Sequence, residues 1–268
     1  MATEEYYRPI HAGHVIHQST SRSHITMNAQ YLEYAKMIDH SLLIPTMDER
    51  QLEDGCQLAL AYDVASVCIM PYYLKRCAKI LAGSSVQPST TIGFPHGGHA
   101  TAAKRFEAEQ AIADGCQELD MVVNISQVLS GQWAYVTRDI AAVIEVAHAA
   151  KRRVKVIFEN SYLQDEHKIR LCQLCSDLKA DWVKTSTGYG GGGATIEDLK
   201  LMIAKVAPGV QVKAAGGVRD WATLKQVRAL GVTRCGASRT QEILDAGRIE
   251  MGIEPIRFTP SASTAAGY

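Results

Sequence analysis

Two lysines stand in strand-like segments whose other residues are mostly apolar or small, and both are candidates for chemistry. Lys184 lies in Asp181-Trp-Val-Lys-Thr-Ser-Thr-Gly188, and Lys213 lies in Val210-Gln-Val-Lys-Ala-Ala-Gly-Gly217. Burial disfavours the ammonium form of a lysine, so a lysine inside a strand tends to lose its proton. A neutral lysine amine is a nucleophile toward a carbonyl carbon. The pattern therefore predicts covalent catalysis through an imine, with Lys184 as the leading candidate.

Elements that would position these lysines alternate along the chain from residue 31 onward. The predicted strands span residues 36–39, 65–70, 89–94, 118–124, 154–159, 181–187, 210–215 and 233–237. Helical patterns between them include 47–62, 100–115, 136–151, 165–178, 195–206 and 220–230, with Thr46, Asp165, Thr195 and Asp220 as predicted caps. This alternation predicts an α/β protein with a parallel sheet, and eight such units fit a single-domain (β/α)8 TIM barrel. The alternative, a doubly wound open sheet, should show a Gly-x-Gly-x-x-Gly after the first strand, whereas His-Ser-Leu-Leu-Ile-Pro follows Asp39.

A barrel brings catalytic groups together at the C-terminal ends of its strands, with every second side chain pointing inward. Lys184 and Lys213 would then be neighbours on adjacent strands, which lie about 4.8 Å apart, and their mutual repulsion would help one of them to lose its proton. Asp120 on the fourth strand is a candidate to move protons. Lys155 on the fifth strand is expected to pair with Asp120, and Asp39, at the predicted end of the first strand, is expected to bind a substrate hydroxyl or relay a proton. The alternative is that both lysines merely pair with buried carboxylates.

Glycines follow three successive strands and suggest an anion site. Gly188 and residues 190–193 follow strand six, Gly216 and Gly217 follow strand seven, and Gly236 and Ser238 close strand eight. Glycine lets backbone N–H groups approach an anion closely, and barrels often hold phosphate at the loops after strands seven and eight. Arg219 would add a positive charge there, although an exposed arginine at a helix start is an equal alternative.

Composition narrows the class of protein. The 268 residues are 47% hydrophobic with a formal net charge of +0, and no basic run stands out, so we expect no nucleic-acid partner. No apolar stretch approaches the length of a membrane span and no secretory signal is visible, so we expect a cytoplasmic protein. Seven scattered cysteines favour reduced thiols over a metal site, although Cys172 and Cys175 form a Cys-x-x-Cys. The histidine-rich residues 1–30 are interpreted as a polar extension rather than a metal-binding tract.

Five motifs together resemble the deoxyribose-phosphate aldolase family. They are Ile38-Asp-His-Ser-Leu-Leu43, Gly93-Phe-Pro-His-Gly97, Glu118-Leu-Asp-Met-Val-Val-Asn124, Val183-Lys-Thr-Ser-Thr-Gly188 and Val212-Lys-Ala-Ala-Gly-Gly-Val-Arg219. The similarity runs from about residue 33 to residue 258 and keeps the order and spacing of the family's motifs. It implies a barrel-shaped class I aldolase that needs neither metal nor cofactor and reversibly cleaves 2-deoxy-D-ribose 5-phosphate to acetaldehyde and D-glyceraldehyde 3-phosphate.

The resemblance also implies roles for single residues. Lys184 would form the Schiff base, Lys213 would tune its pKa, Asp120 would relay protons, and Asp39 would support the substrate and the relay. The residues expected to bind substrate or its phosphate are Lys155, Thr187, Gly188, Gly216, Gly217, Gly236, Ser238 and Tyr268. Tyr268 belongs to a predicted flexible tail at 259–268, after a barrel at 31–258, and its alternative is a disordered end. The expected partners are sugar phosphates and aldehydes, and a homodimer is a further expectation.

Two positions depart from the family pattern. Tyr189 stands where some members carry a phosphate-contacting lysine, and Ile44 stands where many carry lysine. Both changes remove a positive charge near the expected site. They favour, as the alternative activity, a related Schiff-base aldolase that prefers a non-phosphorylated or otherwise different acceptor aldehyde. A sugar-phosphate-binding barrel without turnover is the non-enzymatic alternative.

Overall fold

Eight parallel strands close into a barrel in which each strand pairs with the next along the chain and the eighth pairs with the first. The structure is a computed structural model, and it describes residues 29–260. The strands are β1 (Ile38–Leu42), β2 (Ser66–Ile69), β3 (Gln87–Ile92), β4 (Glu118–Val122), β5 (Arg153–Ile157), β6 (Trp182–Lys184), β7 (Gln211–Ala215) and β8 (Arg234–Ala237). The predicted (β/α)8 barrel is confirmed.

Helices connect the strands on the outside of the barrel. They are α1 (29–35), α2 (Glu49–Tyr62), α3 (Leu74–Ile80), α4 (Thr101–Ala113), α5 (Ile125–Leu129), α6 (Trp133–Ala149), α7 (Asp165–Asp177), α8 (Ile196–Lys205), α9 (Trp221–Ala229) and α10 (Thr240–Glu250). Short 3-10 turns lie at Pro71–Tyr73 and Asn160–Tyr162. Within residues 29–260, no helix combines the length and the apolar character that crossing a membrane requires.

Helix starts follow local capping chemistry. Thr195 and Asp220 cap α8 and α9 by accepting hydrogen bonds from backbone N–H groups in the first turn, as predicted. The predicted cap at Thr46 is wrong, because Asp48 and Gln51 form a reciprocal capping box that starts α2 two residues later. The predicted cap at Asp165 is also wrong, because Gln164 occupies that position before α7.

Two strand boundaries differ from the prediction in ways that affect the site. β1 does not end at Asp39 but continues to Leu42, so Asp39 lies deep in the barrel and not at a strand end. β6 ends at Lys184 rather than at residue 187, and the following Thr-Ser-Thr segment leaves the ladder as a loop. The proposed reactive lysine is therefore the last residue of its strand, where an inward side chain faces the mouth of the barrel.

Alternation along the strands separates an apolar layer from a charged interior. Leu119, Val154, Val183 and Val212 face the helices and belong to the hydrophobic core. Their neighbours on the opposite face include several charged residues that are also buried. Residues 1–28 and 261–268 lie outside the described part of the chain, so the predicted boundaries at 30/31 and 258/259 stay predictions.

Candidate active site

Lys184 and Lys213 are paired in register across β6 and β7, which confirms that they are strand neighbours. Register also pairs Asp120 with Lys155 across β4 and β5, and Asp39 with Gly236 across β1 and β8. Residues far apart in the chain therefore meet in the barrel interior.

Asp120 joins the three lysines. Its Oδ2 atom accepts hydrogen bonds from Lys184 Nζ at 2.9 Å and from Lys213 Nζ at 2.8 Å. Its Oδ1 atom accepts one from Lys155 Nζ at 2.8 Å. The predicted pairing of Lys155 with Asp120 is confirmed. Because one carboxylate contacts both Lys184 and Lys213, it lies where a proton could pass between them.

A second set of contacts joins Asp39 and Glu118 to the basic groups of the barrel interior. Asp39 accepts from Lys213 Nζ at 2.5 Å, from Arg234 at 2.7 Å and from the Ser66 hydroxyl at 2.6 Å. Glu118 contacts Arg234 at 2.9 Å and Lys155 at 2.6 Å. These contacts hold Asp39 and Lys213 rigidly, because each carboxylate oxygen of Asp39 has a charged partner.

We call the seven residues that make these contacts the inner charge cluster. Its members are Asp39, Glu118, Asp120, Lys155, Lys184, Lys213 and Arg234, and all are buried. Its four basic groups outnumber its three carboxylates, and the half-exposed Arg153 adds a further positive charge by contacting Glu118 at 2.5 Å. Loss of one lysine proton reduces this surplus of positive charge, which burial favours.

Lys184 is the lysine of this cluster that releases its proton most readily. Burial, the largest influence, lowers the pKa of Lys184, and Lys213 lowers it further, so it stays below its ordinary value despite Asp120. The pKa of Lys213 is raised, because Asp120 and Asp39 more than offset its burial. The pKa of Lys155 is likewise raised, by Asp120, Asp39 and Glu118. The pKa of Asp120 is lowered despite burial, because the three lysines favour its charged form.

A cavity of about 400 Å³ opens above the cluster at the C-terminal end of the barrel. The predicted site residues that line it are Asp39, Lys184, Thr187, Gly188, Lys213, Gly216, Gly217, Gly236 and Ser238. Asp120 and Lys155 are fully buried below it. Lys155 is an ion-pair partner of Asp120, and it does not line the cavity. This position gives no support to the predicted contact of Lys155 with substrate. Tyr268 lies outside the described residues.

The glycine loops after β6 and β7 contact each other backbone to backbone. A Cβ atom built on Gly193 would lie 2.5 Å from the carbonyl oxygen of Gly216, so no larger residue fits there. Gly216 and Gly217 have φ values of +72° and +102°, which residues other than glycine rarely adopt. Arg219 also lines the cavity beside these glycines. Backbone N–H groups and a guanidinium at one wall form an arrangement that can hold a phosphate.

Both residues that depart from the family pattern, Ile44 and Tyr189, line this same cavity. The Tyr189 hydroxyl donates to the carbonyl oxygen of Leu43 at 2.7 Å, and its ring meets Phe94 edge-on with centroids 5.4 Å apart. Tyr189 thereby connects the loops after β1, β3 and β6. It contributes a neutral wall where a lysine would have contributed a charge.

Sequence reasoning missed several residues of the site. Glu118 and Arg234 belong to the inner charge cluster, and Cys68 lines the cavity. Two-residue alternation gives the signal for the first two, since Glu118 shares a face with Asp120 and Arg234 shares one with Gly236. Glu159 was also missed as a loop anchor: its Oε2 atom accepts from the backbone N–H of Thr187 at 3.2 Å and from the Thr187 hydroxyl. Across residues 29–260, no group of three or more His, Cys, Asp and Glu side chains is placed to hold a metal ion.

Comparison with known proteins gives a consistent family. Residues 34–241 match the sequence profile of the DeoC/LacD family aldolases. A deoxyribose-phosphate aldolase from Rhodopirellula baltica is 65% identical over 239 residues, covering 89% of this chain and 98% of the relative. A deoxyribose-phosphate aldolase from Clostridium perfringens is 45% identical, covering 80% of this chain and 95% of that protein.

Solved structures agree with this family. An aldolase named QR15 superposes with a TM-score of 0.77 at 30% identity, covering 82% of this chain and 99% of its own. The tetrameric deoxyribose phosphate aldolase from Aeropyrum pernix superposes with a TM-score of 0.76 at 25% identity, covering 85% of this chain and 96% of its own.

Proposed function

Since this chain belongs to the DeoC/LacD family of aldolases, we propose that it reversibly cleaves 2-deoxy-D-ribose 5-phosphate to acetaldehyde and D-glyceraldehyde 3-phosphate through an imine on Lys184. One observation supports Lys184 as the residue that forms the imine. Of the three lysines in the inner charge cluster, Lys184 alone has a lowered pKa, and it lines the cavity. A neutral amine at the mouth of the barrel is the nucleophile that this chemistry needs.

The first steps build the imine. The Lys184 amine attacks C1 of the open-chain sugar, and the resulting carbinolamine loses water to give a protonated imine. This group accepts electrons: the C3 hydroxyl loses its proton, and the C2–C3 bond breaks. The electron pair of the broken C2–C3 bond forms the C1–C2 double bond of an enamine. The three carbons from C3 to C5 leave as D-glyceraldehyde 3-phosphate.

The remaining steps restore the enzyme. The enamine carbon takes a proton, water hydrolyses the imine, and acetaldehyde departs with the Lys184 amine free again. Asp120 contacts both Lys184 and Lys213, so it is suited to move these protons together with a water molecule. Asp39 holds Lys213 in place through the 2.5 Å contact.

The phosphate would bind where the loops after β6, β7 and β8 line the cavity. Six residues line this part of the cavity: Gly188, Gly216, Gly217, Arg219, Gly236 and Ser238. Glycine backbone N–H groups, a hydroxyl and a guanidinium are the groups that would hold a phosphate there. Binding the phosphate far from the reacting carbons positions C1 next to Lys184. Such remote binding energy lowers the barrier only when it orients the reacting atoms.

Borohydride trapping tests the imine. Protein incubated with acetaldehyde and reduced with borohydride should carry an ethyl group on Lys184, located by peptide mass mapping. Lys184→Arg should lose both the adduct and the activity, whereas Lys200→Arg on the exposed side of α8 should keep both. An active enzyme with no adduct on any lysine would refute the Schiff-base mechanism.

A second candidate function rests on Ile44 and Tyr189, which give the cavity neutral walls. It is the same imine chemistry with preference for a non-phosphorylated acceptor. The ratio of kcat/KM for 2-deoxyribose 5-phosphate to that for 2-deoxyribose separates the two. A ratio near one favours this second function, and a ratio well above one hundred favours the first.

A further inference from the structure

A second, smaller chamber of about 180 Å³ lies beside the catalytic cavity, between the loops that follow β3, β5 and β6. Its walls include His96, Glu159, Tyr162 and Gly190, and two of its lining residues, Thr187 and Tyr189, also line the catalytic cavity. The two spaces therefore share a wall. We call the smaller one the side chamber.

Tyr189 is the residue of this shared wall whose side chain can move aside. Its side chain is held by one hydrogen bond to the Leu43 carbonyl oxygen and by edge contact with Phe94. Tyr189 is 46% exposed, so its ring has solvent to move into. Thr187, by contrast, is buried and hydrogen-bonded to Glu159.

Glu159 gives the side chamber its chemistry. Its Oε2 atom is occupied by Thr187, whereas its Oε1 atom is buried and has no hydrogen-bond partner among the described residues. Glu159 itself is 1% exposed and adopts a left-handed backbone with φ of +59°. A buried carboxylate oxygen without a donor favours a ligand that brings one, and a hydroxyl group is such a donor.

We propose that the side chamber is a second subsite, which takes the hydroxyl-bearing end of a longer acceptor aldehyde that lacks phosphate, with Tyr189 as the residue that separates it from the reacting carbons. This inference rests on the proposed function and names a further acceptor class for the same lysine. The Glu159 Oε1 atom accepts a hydrogen bond from a distal hydroxyl of that acceptor. An acceptor of the same length without hydroxyls gains nothing from the chamber.

The reaction is the addition direction of the proposed chemistry. Acetaldehyde forms an imine on Lys184 with loss of water, and a methyl proton leaves to give the enamine. The enamine carbon attacks C1 of the open-chain tetrose erythrose, forming a C–C bond, and the former carbonyl oxygen takes a proton. Water hydrolyses the imine and releases a 2-deoxyhexose and the free amine, so acetaldehyde plus erythrose equals the product.

Two four-carbon acceptors separate the hydroxyl effect from chain length. We would measure kcat/KM for erythrose and for butanal with acetaldehyde as donor, in wild type and in Tyr189→Ala. Tyr189→Ala should raise the ratio of kcat/KM for erythrose to kcat/KM for butanal about tenfold. An unchanged ratio in a variant that still adds either aldehyde would overturn the subsite.

A matched pair of loop variants locates the effect. A Cβ atom on Gly190 would lie 2.9 Å from Glu159 Oε1, whereas one on Gly191 would have no atom within 4 Å. Adding Gly190→Ala to Tyr189→Ala should abolish the gain in the ratio, and adding Gly191→Ala should preserve it. Equal behaviour of the two double variants would place the effect outside the chamber and refute the proposal.

Failure of the proposed function is detected separately, as wild type that neither cleaves 2-deoxyribose 5-phosphate nor forms the Lys184 adduct. In that case, binding of the unreactive tetritol erythritol is compared between wild type and Tyr189→Ala by ligand-observed NMR. Tighter binding to Tyr189→Ala that Gly190→Ala abolishes would support the subsite, and equal binding would refute it.

Discussion

At the scale of single residues, Lys213 carries the clearest consequence. It lies 2.8 Å from the carboxylate oxygen that Lys184 also contacts, and its charge lowers the pKa of Lys184. Lys213 keeps its own proton because Asp120 and Asp39 raise its pKa. The two lysines therefore have different environments although they occupy equivalent register positions.

We expect Lys213→Met to move the acidic limb of the kcat/KM profile to higher pH. Without the neighbouring charge, the pKa of Lys184 rises, so less free amine exists at neutral pH. Each unit of this rise costs about a factor of ten in free amine at pH values below the limb. Activity at pH 7 should fall at least about tenfold and recover in part at pH 9.

Lys213→Arg is the control for this prediction, since it retains the positive charge and should keep the limb close to its wild-type position. A loss of activity in Lys213→Met that is the same at every pH would mean that Lys213 acts on something other than the protonation of Lys184.

At the scale of elements, the loops after β6 and β7 depend on mutual contact. Gly193→Ala should separate them, because the added Cβ atom would lie 2.5 Å from the Gly216 carbonyl oxygen. We expect KM for 2-deoxyribose 5-phosphate to rise about tenfold, which is the loss of about 1.4 kcal/mol of binding, with little change for 2-deoxyribose. Gly191→Ala, which meets no atom, is the control, and equal effects on both substrates would argue against a phosphate role for these loops.

Helices α4 and α6 are joined by a fully buried ion pair. Lys104 Nζ contacts Asp139 at 2.5 Å and also donates to the Val122 carbonyl oxygen at the end of β4. Asp139→Asn would leave a buried ammonium without its carboxylate, so the free energy of unfolding in urea should fall by about 3 kcal/mol.

The neighbouring residue on α4 supplies the control for that prediction. Arg105 pairs with Glu109 on the exposed face, and such pairs contribute about 0.5 kcal/mol or less. Arg105→Ala should therefore leave the unfolding free energy nearly unchanged. Similar losses in both variants would show that burial of the Lys104 pair has no special effect.

At the scale of the whole molecule, His40 couples stability to pH. It is buried on the outer face of β1 and hydrogen-bonded to Thr240 at the start of α10, and burial lowers the pKa of His40 to about 4. An unfolded histidine has a pKa of about 6.5, so unfolding takes up a proton between these values. The contribution of neutral His40 to the free energy of unfolding is therefore fully present above about pH 6.5. It decreases by about 3 kcal/mol as the pH falls toward 4.

In His40→Gln, the free energy of unfolding should fall less steeply as the pH is lowered. The difference in slope should correspond to the uptake of about one proton per molecule on unfolding. The exposed His148→Gln variant is the comparison. An unchanged slope in His40→Gln would place the proton uptake on another group. Below about pH 4, the lowered pKa values of Asp39, Glu118 and Asp120 should add a steeper loss in every variant.

Much of this arrangement could be predicted from sequence, because strand alternation and helix spacing depend on local residues. The barrel, the pairing of Lys184 with Lys213 and the contact of Lys155 with Asp120 all follow from two-residue periodicity. The depth of Asp39 was mispredicted, because β1 continues through polar residues that give no strand signal. The contacts of Arg234 and Glu159 depend on pairings between distant segments, which local patterns do not specify.

The predicted homodimer and the cytoplasmic location stay predictions. The Aeropyrum pernix relative is a tetramer by its own description. Analytical ultracentrifugation of the full chain gives the oligomeric state directly, and a monomer at micromolar concentration would contradict the dimer.

The pairing of the first strand with the last also fixes the order in which the protein can become active during synthesis. Asp39 meets Arg234 across a sequence separation of 195 residues, and β1 and β8 form the final seam of the sheet. Residues up to Ala237 must leave the ribosome before this seam can close, since β8 is the last strand of the barrel. Contacts at such long range also slow folding. A nascent chain should thus carry Asp120, Lys184 and Lys213 before it has any aldolase activity, which appears only when β8 docks. At about 5–20 residues synthesised per second, this interval is on the order of seconds.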